Sequence, residues 1–171
     1  MEIKYICTYW GQDGNPVERV VEKAMNAGYD GIEMNVPFDG DFTTRMLNAI
    51  DTTQAIFIAQ QWLPPALETV EQYRKRMLTY LTHLAWLNPE FINSHTGKDY
   101  FSFEDNSSLI ETCRELEEET GIKIIHETHR GRFSFQAASL LPYLERYPGL
   151  EINADFSQRE TDSLNGSKLV K

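Results

Sequence analysis

The sequence predicts an α/β fold, a partial (β/α)8 (TIM) barrel of about six parallel strands with five helices. Three observations carry that prediction. Short apolar segments alternate with longer amphipathic ones along nearly the whole chain. The first apolar segment runs into YWGQDGNP (9–16), which lacks the G-x-G-x-x-G phosphate loop of a dinucleotide-binding sheet. Ionisable residues gather at the carboxyl ends of the apolar segments, where barrels place their chemistry. An open doubly wound sheet shares the local pattern and stands as the alternative architecture.

The expected strands are 2–8, 30–35, 54–59, 90–95, 122–127 and 150–155. The first helix follows Asn15, the expected cap, with Pro16 at its first position and Glu18 completing a capping box. Val17, Val20, Val21, Ala24 and Met25 form its apolar stripe, and Gly28 stops it. The second helix follows Asp41. The third, TVEQYRKRMLTYLTHLAWL, ends before Pro89, and the fourth, SSLIETCRELEEETG, ends at Gly121. The fifth lies within SFQAASLLPYLERYPG, with a break expected near Pro142.

Residues 1–157 read as one partial-barrel domain. Residues 158–171 read as an atypical polar tail, disordered or non-native. Five helices and six strands in 171 residues fall short of the roughly 250 that a complete eightfold barrel uses, so a truncation or frameshift after the sixth strand is the expectation.

Composition bounds the partners. The chain is 41% hydrophobic and 12% aromatic, enough for a packed core. A net charge of −10 argues against nucleic acid and anionic membrane, both of which require clustered Lys and Arg. No apolar run reaches the ~18 residues of a membrane helix. The N-terminal MEIKYICTYW is too short and polar for a signal peptide, and Cys7 and Cys113 match no metal spacing. A cytoplasmic protein with reduced thiols is expected. Unpaired edges on the first and sixth strands would favour self-association.

Alternate strand residues share a face. That parity groups Gly31, Glu33 and Asn35; Phe91, Asn93 and His95; Ile125, Glu127 and His129; and Glu151, Asn153 and Asp155. Four strands thus direct polar residues at one end of the sheet. Glu127, Asp155 and His95 are ligand types for Mn²⁺, Mg²⁺, Co²⁺ or Zn²⁺. His126 has the opposite parity and is expected to pack, and His83 is expected to be structural or exposed. Arg130 and Arg132 suit an anionic group or the acidic surface. Trp10 and Trp62, with Tyr9, Gln60 and Gln61, could wall a sugar ring or simply form the rim.

The stretches GYDGIEMNV, INSHTGKD, IKIIHETHRGR and LEINADFS, in this order, resemble the xylose isomerase-like TIM barrels, the sugar phosphate isomerase/epimerase superfamily. The resemblance runs through residues 1–157. It implies a divalent metal on Glu127 and Asp155, completed by a His and a Glu from seventh and eighth strands that this sequence does not contain. It also implies proton transfer beside a carbonyl through an enediolate, with Glu127 as both ligand and acid/base. The carbohydrate would meet His95, Glu33, His129, Arg130, Trp10 and Trp62. The family's D-x-x-H pattern reads Asp155-Phe156-Ser157-Gln158 here. With its partner Glu missing, the chain as given is expected to be inactive and a full-length parent to be the enzyme. Two other readings stand beside this one. NSHTG also resembles an endonuclease IV-like metal phosphodiesterase, in which His95 would bind zinc. A non-catalytic partial barrel that binds a sugar or a partner protein is the third.

Overall fold

The computed structural model describes residues 2–12 and 14–156. The expectation for 158–171 lies outside the described residues. Six parallel strands form one sheet in the order β1-β2-β3-β4-β5-β6, with five helices between them. The strands are β1 Ile6–Thr8, β2 Gly31–Met34, β3 Ile56–Gln61, β4 Phe91–Ser94, β5 Ile124–Glu127 and β6 Ile152–Asn153. The helices are α1 Val17–Asn26, α2 Gly40–Thr53, α3 Val70–Ala85, α4 Phe103–Thr120 and α5 Ala137–Arg146. This is the predicted partial barrel.

Register fixes which residues look inward. Thr8 pairs with Glu33, Glu33 with Ile58, Gln60 with Asn93, Asn93 with Ile125, and Glu127 with Asn153. The opposite parity, Ile32, Met34, Phe57, Ala59, Ile92 and Ile124, belongs to the buried apolar core with Tyr73, Met77, Leu81 and Leu84 of α3. Full burial of each such side chain is worth about 1.5–3 kcal/mol, which pins the register: a slip of one residue would put Glu33, Asn93 and Glu127 into that core. Gly31 permits close strand contact, since a Cβ there would meet the Ile56 carbonyl oxygen at 2.2 Å.

Several local expectations are corrected. Asn15 does not cap α1. Pro16 holds the cap position without a side-chain bond, while the Asn15 amide donates to the Gln12 carbonyl. Glu18 forms no capping box and instead faces Arg45 on α2 at 3.5 Å. Strand β3 begins two residues later than predicted, because Gln54 ends α2 in the left-handed region. That shift draws Gln60 and Gln61 into the strand. Helix α4 starts at Phe103, ahead of the predicted SSLIE, under a Ser102–Asp105 capping box. Helix α5 continues through Pro142. The first strand shortens to Ile6–Thr8, with residues 2–5 exposed.

Candidate functional site

The carboxyl ends of β2 to β5 bring Glu33, Gln60, Asn93, His95 and Glu127 onto one inner surface. Asn93 sits between the carboxylates of Glu33 and Glu127. Its side-chain amide nitrogen donates to Glu33 Oε1 at 2.6 Å and also to Glu127 Oε2. Burial drives the carboxyl of Glu33 above its usual range, and the nearby Glu127 charge adds to the shift although Asn93 opposes it. For Glu127 burial is again the largest influence and pushes upward. It is outweighed by His95, Asn93 and His129, which together hold the group below its usual value. Two facing carboxyl groups therefore titrate in opposite directions, the arrangement that separates acid and base roles.

His95 Nε2 lies 3.2 Å from Glu127 Oε1, and the His95 and His129 rings are 4.5 Å apart. The ligand atoms of His95, Glu127 and His129 all lie within 4.8 Å of one another. His129 Nδ1 is 2.8 Å from the Arg130 carbonyl oxygen, so Nδ1 carries the proton and Nε2 presents a lone pair. Such a bond from the second ring nitrogen to a carbonyl is the usual support of a metal-binding imidazole. At His95 the donors conflict. Trp10 Nε1 donates to Gln60 Oε1 at 2.7 Å, which turns the Gln60 amide nitrogen toward His95 Nε2 at 3.5 Å. The amide hydrogen calls for a lone pair on Nε2, whereas the Glu127 carboxylate calls for a hydrogen. A cation shared by Nε2 and the carboxylate would remove the conflict with Glu127, and it would displace the long 3.5 Å amide contact because Nε2 has one lone pair to give. One carboxylate and two imidazoles thus fit a divalent metal.

The surrounding bonds fix this constellation. Tyr73, fully buried, donates its hydroxyl to the His95 carbonyl at 3.0 Å. The Ser134 hydroxyl donates to the Glu127 carbonyl at 2.6 Å. His126 packs on the helix-facing side, as its parity predicts, bonded to Thr96 Oγ1 at 2.8 Å, and burial pulls its pKa down to about 4. His83 is half-buried against Tyr80 and Phe38.

The remaining predicted residues sit farther out. Asp155 follows β6 and its backbone N–H donates to Thr128 Oγ1 at 2.8 Å, but its carboxylate is not in the His95–Glu127–His129 group. Arg130 is exposed on the loop after β5, whereas Arg132 is buried and donates to the Gly97 carbonyl at 3.3 Å. Trp10 and Trp62 meet edge to face at 5.8 Å and line a cavity of about 470 Å³ with Tyr9, Asn35 and Phe42. Sequence reasoning leaves the contacts of two positions unseen. Gln60 is expected as a wall or rim residue beside Trp62, and its bonds to Trp10 and His95 emerge only with β3 in its observed place. Asn93 was placed on the right face without its bridging role, which only the register reveals. A separate groove of about 660 Å³ opens beside Lys123, Glu151 and Tyr147, away from the carboxylates. No helix among the described residues is long and apolar enough to cross a membrane.

No family model and no curated protein matches the chain. Solved structures do. The probable 3-DHS dehydratase AsbF, involved in the petrobactin synthesis, from Bacillus anthracis aligns with a TM-score of 0.69 at 21% identity, over 91% of this chain and 64% of that one. The 3-keto-D-glucoside 4-epimerase YcjR from E. coli, in its apo form, aligns with a TM-score of 0.69 at 16% identity, over 93% of this chain and 70% of that one. The sialic acid aldolase of Ruminococcus gnavus is a more distant match, with a TM-score of 0.53 at 10% identity. The chain therefore spans 64% and 70% of the first two proteins. The likeness is one of fold: six parallel strands and five helices in the arrangement of a partial TIM barrel.

Proposed function

We propose that this chain carries the proton-transfer site of a metal-dependent sugar or sugar-phosphate isomerase or epimerase. The observation that carries the reading is Glu127, a buried carboxylate held below its usual pKa at the end of β5, against His95 and His129 and across from the upshifted Glu33. The fold shared with a 3-keto-D-glucoside 4-epimerase and a 3-DHS dehydratase supports a carbohydrate-like small molecule as substrate.

Glu127, His95 and His129 would hold a Mn²⁺, Mg²⁺, Co²⁺ or Zn²⁺ ion; Asp155, which lies outside that group beyond β6, would have to move inward to join them. Such an ion supplies Lewis acidity toward a carbonyl or hydroxyl oxygen. Glu127, ionised at neutral pH, is the base that removes the hydrogen from the carbon beside the carbonyl. Glu33, whose environment favours the neutral acid, is the group placed to donate a hydrogen bond to a substrate oxygen. Asn93 fixes the separation of the two carboxyl groups, so that neither swings into the other when its charge changes. Trp10 and Trp62 offer an apolar edge for a sugar ring and keep water from one side. His129 and Arg130 stand at the rim on the loop after β5.

Abstraction by one base is enough to exchange a carbon-bound hydrogen with solvent, so the test does not depend on a second acid/base. The full chain, loaded in turn with each metal, is incubated in D₂O with D-fructose and with D-fructose 6-phosphate, and deuterium entry is followed by NMR. Deuterium should enter at the carbon next to the carbonyl, and Glu127→Gln should reduce the rate at least 100-fold, within the range for a general base. Bound Mn²⁺, read directly by electron paramagnetic resonance, should weaken in His95→Gln and Glu127→Gln. Exchange that is equal in wild type and Glu127→Gln, or a wild-type chain that binds none of the metals, overturns the proposal.

A further inference from the structure

The loop after β4 continues past His95 as Thr96-Gly97-Lys98, and it buries a lysine. The loop after β5 continues past His129 and buries an arginine, Arg132. Lys98 is 7% exposed and Arg132 5%. Neither makes an ion pair among the described residues. The Lys98 ammonium stands 5.3 Å from the Tyr73 ring centroid. Arg132 spends Nη1 on the Gly97 carbonyl at 3.3 Å, while its Nε is buried without a partner.

The surrounding charges do not balance this pair. Burial lowers the pKa of Lys98, and Arg132 and Arg76 lower it further against Glu68 and Asp99. Glu68 is already engaged by Arg76 at 2.7 Å, and Asp99 is exposed. A buried cation is costly unless it is paired and hydrogen-bonded, and a second cation near enough to depress the first adds to the cost. The contact with Tyr73 accounts for Lys98 alone and leaves Arg132 with an unused donor.

The backbone around these cations is built rather than slack. The buried Asn106 side chain clamps Lys98 from both sides, accepting from its N–H at 3.1 Å and donating to its carbonyl at 2.9 Å. Gly97 sits at φ 67°, and a Cβ there would meet Asn106 Oδ1 at 2.2 Å. The two loops are tied together by Asp99 N–H to the Gly131 carbonyl at 3.3 Å and by the Arg132–Gly97 bond. Tyr73 joins the cationic pair to the site, since its hydroxyl holds the His95 carbonyl while its ring lies under Lys98.

We propose that Lys98 and Arg132 form a socket for an oxyanion, a phosphate or carboxylate carried by the substrate, next to the His95–Glu127–His129 site. This rests on reading that site as the place where the sugar binds. A pre-set lysine point charge beside an arginine with a spare N–H suits a tetrahedral or planar oxyanion. The basic group is local in a chain of net charge −10, which fits a small ligand and not a polyanion.

The test is binding to the metal-free full chain in EDTA, so that neither turnover nor a metal contributes. Calorimetry compares D-fructose, D-fructose 6-phosphate, D-gluconate and inorganic phosphate at constant ionic strength. The charged sugar should bind at least 10-fold tighter than D-fructose, with inorganic phosphate competing. Preference for D-fructose 6-phosphate identifies a phosphate socket and preference for D-gluconate a carboxylate socket. Lys98→Met, which keeps the stem on Tyr73, and Arg132→Gln should each bring the charged sugar to within about threefold of D-fructose. Should a variant fail to fold, the wild type still decides: inorganic phosphate must raise its melting temperature above that in chloride of equal ionic strength. Equal affinity for charged and neutral sugars, a preference retained in both variants, or no phosphate-specific shift overturns the socket. Hydrogen exchange on a neutral sugar without anion preference would refute the socket and leave the proposed function standing. Anion binding with no hydrogen exchange would do the reverse.

Discussion

Asn93 donates to Glu127 from the same amide nitrogen that donates to Glu33, so one neutral side chain on β4 holds apart two carboxyl groups from β5 and β2. Like charges this close would otherwise raise each other's pKa and move. The bridge links residues of three strands across a span of four, and it forms only when the β2–β3–β4–β5 register is correct.

Replacing that bridge with a group of similar shape gives the first prediction. Asn93→Leu should cost about 2–4 kcal/mol at pH 7, because two bonds to carboxylates are lost. The Asn93 bond is what restrains the upward shift of Glu33, so the shift should grow in the variant. The loss should then develop as pH rises above 4.5, where unfolded Glu33 ionises while the folded group resists, and shrink below it. Urea unfolding at pH 4 and pH 7 checks this. A deficit under 1 kcal/mol at pH 7, or one that grows toward pH 4, would contradict the bridging role.

Much of this arrangement was legible in advance. Strand parity alone put Glu33, Asn93, His95 and Glu127 on one face, because burial of Ile32, Met34, Ile92 and Ile124 leaves the alternate positions no other side. Parity could not show which of them touch, since contact depends on the stagger between strands. Gln60, expected only as a wall or rim residue, enters β3 because of the left-handed cap at Gln54, a conformation that a non-glycine residue does not announce. Ser102-Phe103-Glu104-Asp105 does carry the capping-box signal for the start of α4, although the more apolar stretch behind it is the stronger helical pattern. Lys98 carries no sequence signal of burial. Its enclosure follows from Tyr73 and Asn106, which reach it from α3 and α4.

The second prediction concerns Gly97. Its φ of 67° is one that an L-residue rarely adopts, and the space for a Cβ is occupied by the Asn106 amide. Gly97→Ala should therefore cost about 2–3 kcal/mol. It should also release the clamp on Lys98 and weaken phosphate binding to the metal-free chain. Guanidinium unfolding and phosphate calorimetry on the same preparation test both effects. An alanine variant with wild-type stability would show that the loop is not held as described.

The third prediction separates the two cysteines. Cys113 lies on α4 in the apolar core, 1% exposed, and burial pushes its thiol up to about 12. Cys7 is half-buried on β1. Only thiolate reacts with a disulfide reagent, so at pH 8 the native chain should release one equivalent of thionitrobenzoate, from Cys7. The second should appear only in urea. Rapid reaction of both in buffer would mean that α4 does not seal against the sheet.

The fourth prediction follows the buried hydroxyl chain on the helix-facing side of β3, β4 and β5. Ser94 gives its hydrogen to Gln61 Oε1 at 2.8 Å, so toward Thr96, 2.7 Å away, it can only accept. Thr96 thereby spends its own hydrogen on Ser94, and His126 Nδ1 must donate to Thr96 at 2.8 Å. His126 is thus a neutral Nδ1–H tautomer, and burial holds its pKa at about 4 against 6.5 when exposed. Above pH 6.5 neither the folded nor the unfolded chain binds this proton, and the residue adds no pH dependence. Between 6.5 and 4 the unfolded chain binds it and the folded chain does not, so stability falls by about 1.4 kcal/mol per pH unit. The full loss approaches about 3 kcal/mol and levels off below pH 4. His126→Gln should be less stable than wild type at pH 7.5 because the bond to Thr96 is altered, yet it lacks this titration. The gap between the two proteins should narrow, and can reverse, as the pH drops toward 4.5 in a series of urea melts. A gap that stays constant across the series would mean that His126 is already protonated, or solvated, in the folded chain.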